Sequence, residues 1–373
     1  MYQKGLVCFY FLSLLSYFSA LGQLPNLPFR DTLSVGQMPI KGLHLRWDYL
    51  GYQKNNEYFN TIADGYTIFG QQLIVSVAYR PAAYFTIEGG ASFRRDFGVN
   101  ARSEWLPVLR LKYERTRWAF LFGTLEGHLN HGLIEPLFDF ERLLTRRLEN
   151  GFQFWYKGNR LRAEAWIDWQ RVIYAGSPFQ EEIVGGAHIQ GQISPELAVP
   201  LQITAFHAGG QIDTSSEPLV TQLNLALGLV WCKDFAEGSF LEQLEWHHYG
   251  LAYGDASFRP RQPDYTSGWG YYTHFNARLR RLGNIALSYW SGQRFVAPLG
   301  GDLYGSLSRR FDPPLVGESR RELLFLRLIQ NLRLHPSLWL SLRAEPFWDF
   351  GSQKLEFSTG LYLVYRDAFA IKK

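Results

Sequence analysis

From Leu355 to Tyr365 hydrophobic and polar positions alternate: Leu355, Phe357, Thr359, Leu361, Leu363 and Tyr365 fall on one face, and Glu356, Ser358, Gly360, Tyr362, Val364 and Arg366 on the other. Successive side chains of a strand point to opposite faces, so this period of two reads as a strand with one greasy and one wet side. The period returns along most of the chain between clusters of turn residues. It predicts strands near 40–51, 66–79, 84–96, 104–114, 118–129, 149–156, 160–170 and 182–193. Eight more follow near 197–208, 218–231, 240–251, 266–279, 284–294, 321–334, 338–348 and 354–366. The count is sixteen, within a range of about 14 to 18.

The links between these strands alternate in length. Most of those after even-numbered strands are compact, as at Arg80-Pro81-Ala82-Ala83, Lys157-Gly158-Asn159 and His335-Pro336-Ser337, with the link around Cys232 to Ser239 the longest. Those after odd-numbered strands are mostly long, above all 130–148 and 295–320, with 349–353 as the short exception. Bacterial transmembrane barrels have even strand numbers, short periplasmic turns and longer outer loops. A soluble β-sandwich has no cause to keep its long loops on one side. The pattern therefore predicts an all-β fold, a transmembrane antiparallel β-barrel of about 16 strands.

The N-terminus agrees with export. Lys4, the apolar stretch Leu6 to Phe18 and the small residues Ser19-Ala20-Leu21-Gly22 have the form of a secretory signal peptide, expected at 1–22. Residues 23–37, with Pro25 and Pro28, are expected to be a periplasmic or lumen segment, 38–366 the barrel and 367–373 a C-terminal extension. No later stretch reaches the roughly 18 consecutive apolar residues of a helical span. The expected location is the outer membrane.

Composition adds two points. Aromatic residues make up 16% of the chain, enough to furnish the girdles at both membrane interfaces. The formal charge of +4 falls to near +3 without Lys4, and cations are interspersed with acids, so no nucleic-acid partner is expected. Removing Cys8 with the signal leaves Cys232 alone, and no internal disulfide can form.

The wet faces name the candidate lumen residues: Arg110, Lys112, Glu126, His128, Arg162, Glu164, Asp168, His274, Arg278, Arg327, Arg333 and Arg343. An arginine or lysine on the lipid face would cost roughly 2 to 4 kcal/mol at the midplane, which forces the facing. By the same alternation Leu121, Leu125 and Leu225 are assigned to lipid, and Asn224 to a lumen that would accept Asn224→Arg. Such charges either stiffen the wall as ion-pair ladders or bias which ions pass. Arginine outweighs acid, which favours anionic or sugar-like solutes.

The link 130–148 carries Leu137, Phe140, Leu143 and Leu144 at helical spacing after Pro136. It is either a constriction folded into the pore, built on Glu135, Phe138, Phe140, Arg142 and Leu144, or a cap on the rim. Its Arg142, Arg146 and Arg147 are expected to reach acids such as Glu126 or Glu164. His247 and His248 are adjacent on a strand and point to opposite faces, so no metal site is expected, nor any cofactor. There is no G-x-S-x-G elbow and no phosphate loop. No catalytic residues are assigned, and the chain is expected not to be an enzyme.

With its signal, its alternating strands and its aromatic closing strand, the chain resembles Gram-negative outer-membrane β-barrels over nearly all of 38–366. Asn56-Glu57-Tyr58-Phe59-Asn60 and Ala63-Asp64-Gly65-Tyr66-Thr67 are similar to segments of Bacteroidetes barrels. The resemblance implies fold and compartment and names no activity. Three functions are weighed on these grounds: first a porin-like channel for small polar or anionic solutes, second a non-transport barrel whose outer loops bind surface polysaccharide or a partner protein, and third, against the expectation of no enzyme, a barrel enzyme acting on lipid or peptide, which fold alone never excludes. Outer-membrane lipid is the expected surrounding, small solutes or surface glycan the expected partners, and oligomeric state is left open.

Overall fold

Alternating burial runs through the strands of the protein, described here from a computed structural model that covers residues 24–30, 39–126, 131–257, 265–310 and 316–372. The signal region and His128 lie outside the described residues. The first eight strands are β1 (Leu43–Glu57), β2 (Thr67–Ala82), β3 (Phe85–Asp96), β4 (Ser103–Glu114), β5 (Trp118–Thr124), β6 (Asn150–Lys157), β7 (Leu161–Arg171) and β8 (Glu181–Gln192). The rest are β9 (Leu197–Gly209), β10 (Val220–Asp234), β11 (Leu241–Asp255), β12 (Ser267–Leu279), β13 (Gly283–Gln293), β14 (Arg320–His335), β15 (Leu338–Asp349) and β16 (Lys354–Lys372). Each pairs antiparallel with its neighbours, and β1 pairs with β16 to close the barrel. Closure gives every strand two neighbours, which is what lipid demands of a sheet.

The wall is inverted relative to a soluble protein. On β10, Leu223, Leu225, Leu227 and Leu229 are exposed on the outside, while Asn224, Ala226 and Val230 are buried inside. On β16 the opening pattern appears in the same sense, with Glu356, Ser358, Tyr362 and Val364 inside. The long links gather at one end, which is therefore the extracellular one.

Three boundaries differ from expectation, each for a local reason. β1 runs to Glu57 rather than 51, because its outer half carries polar residues on both faces and shows no hydropathy period. β16 continues through Lys372, so the expected extension pairs with β1, Asp367 opposite Trp47 and Ala370 opposite His44. β5 stops at Thr124 instead of 129, where Gly123 turns with φ of 107°. A Cβ on Gly123 would lie 2.1 Å from the Leu109 carbonyl oxygen, so no other residue fits there. The chain then leaves the wall and enters the lumen.

That departure corrects the facing of β5. Leu121 and Leu125 do not meet lipid; both are buried in the barrel's internal core with Leu133, Ile134, Leu137 and Phe138. The run Trp118-Ala119-Phe120-Leu121-Phe122 is apolar on both sides because its inner face packs against a plug. A second segment, Phe295 to Leu307, joins the same core through Phe295, Val296, Leu299, Leu303 and Tyr304. From the periplasmic side, Leu24 to Arg30 inserts and seats Phe29 against Phe140 and Tyr362 at 5.4 and 5.3 Å between ring centres.

Wall side chains clamp the plug backbone. Gln72 Nε2 donates to the Leu143 and Leu144 carbonyls, each at 3.0 Å, and Gln202 accepts from the Ile134 N–H at 3.0 Å while donating to the Gly132 carbonyl at 3.2 Å. Asn224 donates to the Val296 carbonyl at 2.7 Å. Asn224 thus faces the lumen as expected, but against packed chain and not open water. Among the described residues of the inward link only one turn of helix forms, α1 (Arg142–Thr145), since the Asp139 N–H bonds across to the Leu299 carbonyl at 2.8 Å instead of continuing a helix.

Candidate functional site

The expected lumen residues separate into several clusters. Arg110 lies 3.4 Å from Glu88, which also pairs with Arg46 at 2.6 Å. Lys112 pairs with Glu126, just past the end of β5. Arg343 stacks on Phe140 at 4.1 Å from the ring centre and on Phe29 and Tyr362 beyond it. Arg162 borders a cavity of about 280 Å³ with Glu164 and His188. Arg278 pairs with Glu242 at 3.3 Å, and Arg333 lies exposed over Trp339, both near the periplasmic rim. Asp168 is buried and accepts from the Asn150 N–H at 2.7 Å.

The arginines of the inward link find other partners than expected. Arg147 pairs with Asp48 at 2.7 Å, Arg146 donates to Gln170 at 2.6 Å, and Arg142 covers the Phe138 ring at 5.0 Å, 3.9 Å from Glu149. Glu164 is taken by His131, which sits between Glu164 and Glu149 at 2.6 Å from each and stacks on Trp166 at 3.8 Å. Burial alone would discharge this ring, but the carboxylates of Glu149 and Glu164 outweigh it and carry its pKa up to about 10. His131 is an imidazolium that pins the plug to β7.

The most chemically dense site lies beneath the extracellular rim. A small polar cavity of about 60 Å³ is bounded by β1, the two inward segments and the outer halves of β14, β15 and β16. Glu141 is its centre: Asn56 Nδ2 donates to one carboxylate oxygen at 2.8 Å, the Tyr66 hydroxyl donates to the other, and Lys54 Nζ stands 3.3 Å away. Across the cavity Glu135 accepts from the Tyr304 hydroxyl at 2.8 Å and pairs with Arg327, whose other arm donates to Ser288 at 2.7 Å. Glu345 lies 4.0 Å from Lys54 and accepts from Ser358 at 3.3 Å.

Asp139 is the unusual member. Its Oδ1 accepts from the Glu141 N–H at 3.1 Å, but burial and the neighbouring Glu141 and Asp302 push its pKa up to about 8. The phenols of Tyr58, Tyr66 and Tyr304 are raised above their ordinary value, first by burial, and stay protonated as donors. A carboxyl that exchanges its proton near pH 8, beside fixed cations and hydroxyl donors, is what general acid–base chemistry on a bound water requires. A cavity of this size has room for a few waters. Among the described residues no group of three or more His, Cys, Asp or Glu is arranged to hold a metal ion.

Of the expected site residues, Glu135 and Phe140 border this cavity, Arg327 meets Glu135 on it, and Phe138 and Leu144 are buried in the plug. Lys54, Asn56, Tyr66, Asp139 and Glu141 were not assigned a role from sequence. Asn56 and Tyr66 stand in the two segments that carried the resemblance to Bacteroidetes barrels, and Asp139 and Glu141 in the inward link that its helical apolar spacing singles out.

Residues 38–373 match the model of a family described as lipid A 3'-O-deacylase-type. The chain belongs to that family. This membership overturns the expectation that the protein is not an enzyme: reading no catalytic motif from sequence failed because the polar site is assembled from six separate segments. The comparison with curated proteins gives no match. Among solved structures, a loop-deletion mutant of OmpT, an outer membrane protein of Vibrio cholerae, is similar with a TM-score of 0.52 at 10% identity, over 87% of this chain and 99% of that one. OpdK of Pseudomonas aeruginosa, solved with vanillate, gives a TM-score of 0.49 at 10% identity, over 88% and 100%. At such identity the likeness concerns fold alone. The protein is an outer-membrane β-barrel.

Proposed function

We propose that this barrel is a hydrolase of the outer leaflet that removes an ester-linked acyl chain from lipid A, using the cavity beneath the extracellular rim. The observation that carries the reading is the convergence of Lys54, Tyr66, Asp139 and Glu141 on one polar cavity beside the packed plug. In this reading Asp139 takes a proton from a water as its oxygen attacks the acyl carbonyl. The positive charges of Lys54 and Arg327 face the oxyanion that forms. Collapse of that intermediate breaks the acyl–oxygen bond, and the proton passes from Asp139 to the departing sugar hydroxyl. The products are a fatty acid and a partly deacylated lipid. Glu141, held by Asn56 and Tyr66, orients the Asp139 carboxyl through its backbone N–H and, after burial, supplies the negative charge that keeps its pKa high.

The test is fatty-acid release from vesicles containing lipid A by the purified, folded barrel. Release that is lost in Glu141→Gln supports the reading; no release from folded protein refutes it. Passage of small solutes is a second reading, favoured by the cavities of about 280 and 710 Å³ in the periplasmic half of the lumen. It requires the inward link to move, so deleting residues 135–147 would raise single-channel conductance if the link gates a pore, and the undeleted barrel would conduct little.

A further inference from the structure

We propose that the barrel wall is open to the outer leaflet between β4 and β7, and that an acyl chain of a bilayer lipid lies in this opening against Leu106. The inference concerns the wall and stands whether or not the cavity at Asp139 hydrolyses a lipid. The ring of strands is continuous, but not over its full height. β5 and β6 end together at Thr124 and Asn150, where the chain turns into the lumen. β4 pairs with β5 only from Glu114 to Arg110, and β6 meets β7 no further out than Asp168. β4 nevertheless runs on to Ser103, still paired with β3 on its other side. Among the described residues nothing bonds to the backbone of Ser103 to Val108 on the side that β5 has left.

This free edge lies at membrane depth. At the periplasmic end the Tyr113 ring stands 5.3 Å from those of Tyr84 and Trp118, and at the extracellular end Phe93 and Trp105 are 4.6 Å apart. From Tyr113 to Trp105 a tilted strand climbs roughly 20 Å, so these two belts bracket an apolar band of about 25 Å and Pro107 stands in its outer half. Alternate residues of a strand turn their N–H and C=O to the same neighbour. The Leu109 N–H donates to Thr124 Oγ1 at 3.3 Å, so Pro107, Trp105 and Ser103 also present their backbones to the open side. Trp105 and Ser103 do so at the interface, where water and head groups reach them. Deeper, the chain has a proline, which leaves no N–H unmet in hydrocarbon. Proline on an edge also blocks the addition of a strand, so the edge suits lipid and not a partner's strand.

The inner side of the opening is apolar and accessible. Val108 and Arg110 face inwards and are buried, yet Leu106 on the same face is 38% exposed. The floor is the exposed end of the inward link: Arg94 of β3 donates to the Thr145 carbonyl at 2.8 Å, and Arg146 donates to Gln170 of β7 at 2.6 Å. The opening is thus continuous with the lipid-facing surface at Leu109 and ends against protein. Exposed Arg95 and Arg102 at the outer end of β3 and β4 place cations at the height of lipid phosphates.

The experiment places a nitroxide at Leu106→Cys in a Cys232→Ser background, in barrels reconstituted into phosphatidylglycerol vesicles and shown to be folded by heat-modifiable migration. Collision with molecular oxygen, which concentrates in hydrocarbon, is compared with collision with a water-soluble nickel chelate. Leu225→Cys on the lipid face and Val99→Cys, 95% exposed in an outer loop, are the references. The oxygen-to-nickel ratio at position 106 should match that at position 225 and exceed that at position 99 at least about tenfold, because the hydrocarbon core holds no water to carry the chelate. A ratio like that at position 99 means a water-filled gap and overturns the proposal. Low collision with both reagents means that protein covers the edge and overturns it equally; dipolar broadening between labels then identifies the cover as a second copy. On the unaltered barrel, phosphatidylglycerol with a diazirine midway along one acyl chain should leave adducts on Leu106 or Thr145. Adducts confined to outward residues such as Leu109 and Leu225 would overturn the proposal even if the labelled variant does not fold.

Discussion

Replacing His131 by glutamine should loosen the plug, and the loosening should depend on pH in a way no other substitution reproduces. The ring lies 2.6 Å from both Glu149 and Glu164 and is almost wholly buried. Glutamine removes the cation shared by the two carboxylates and leaves Arg142, 3.9 Å from Glu149, as the nearest described one; breaking a buried ion pair in this way typically costs about 3 to 5 kcal/mol. The pKa gives a second measure. An ordinary histidine titrates near 6.5 and this one near 10, a difference worth on the order of 5 kcal/mol at most. The two figures agree in scale. Because the folded pKa is raised, the contribution is complete below about pH 6.5 and is lost as pH rises to about 10. Limited proteolysis of the plug in the reconstituted barrel, or ionic current through it, reads the docking equilibrium. The unaltered protein should be closed at pH 6, and His131→Gln should be loose there. The difference between the two should shrink towards zero by about pH 10. A difference that persists undiminished at pH 10, or none at pH 6, would refute the argument.

Other perturbations separate wall, plug and site. Leu225→Arg places a cation on the lipid face and should impair folding into vesicles by about 2 to 4 kcal/mol, measured as the folded fraction on heat-modifiability gels. Asn224→Arg, one residue earlier, should leave the wall intact but displace the Val296 carbonyl it holds, so it should raise protease sensitivity of residues 294–319 without lowering the folded fraction. Phe140→Ala removes a ring packed on Phe29, Tyr362 and Arg343 and should weaken plug docking by about 3 to 5 kcal/mol, seen as increased current. If Asp139 is the base, hydrolysis should rise with pH through about 8 and level off above it; a rate that falls over that range would contradict the assignment.

How much of this was legible beforehand follows from what each segment is made of. Strands with apolar residues on one side only, such as β10 and β16, announce themselves, because lipid outside and polar lumen inside keep the period clean. The period disappears where both sides are alike. The outer end of β1 is polar on both faces, since Lys54 and Asn56 serve the buried site, and β5 is apolar on both, since Leu121 serves the plug. The chemistry was hidden for the same reason. Glu141 meets Asn56 and Tyr66 across 85 and 75 residues of sequence, a contact that no local pattern encodes. The helical spacing of Leu137, Phe140, Leu143 and Leu144 did signal burial, although tertiary hydrogen bonds left only α1 helical.

The most direct measurement of the central claim is the mass spectrum of lipid A recovered from vesicles after incubation with the unaltered barrel and with Asp139→Asn, each verified as folded by heat-modifiable migration. The account predicts loss of one ester-linked acyl chain with the unaltered protein and intact lipid A with the variant. Intact lipid A in both, or equal deacylation in both, would contradict it.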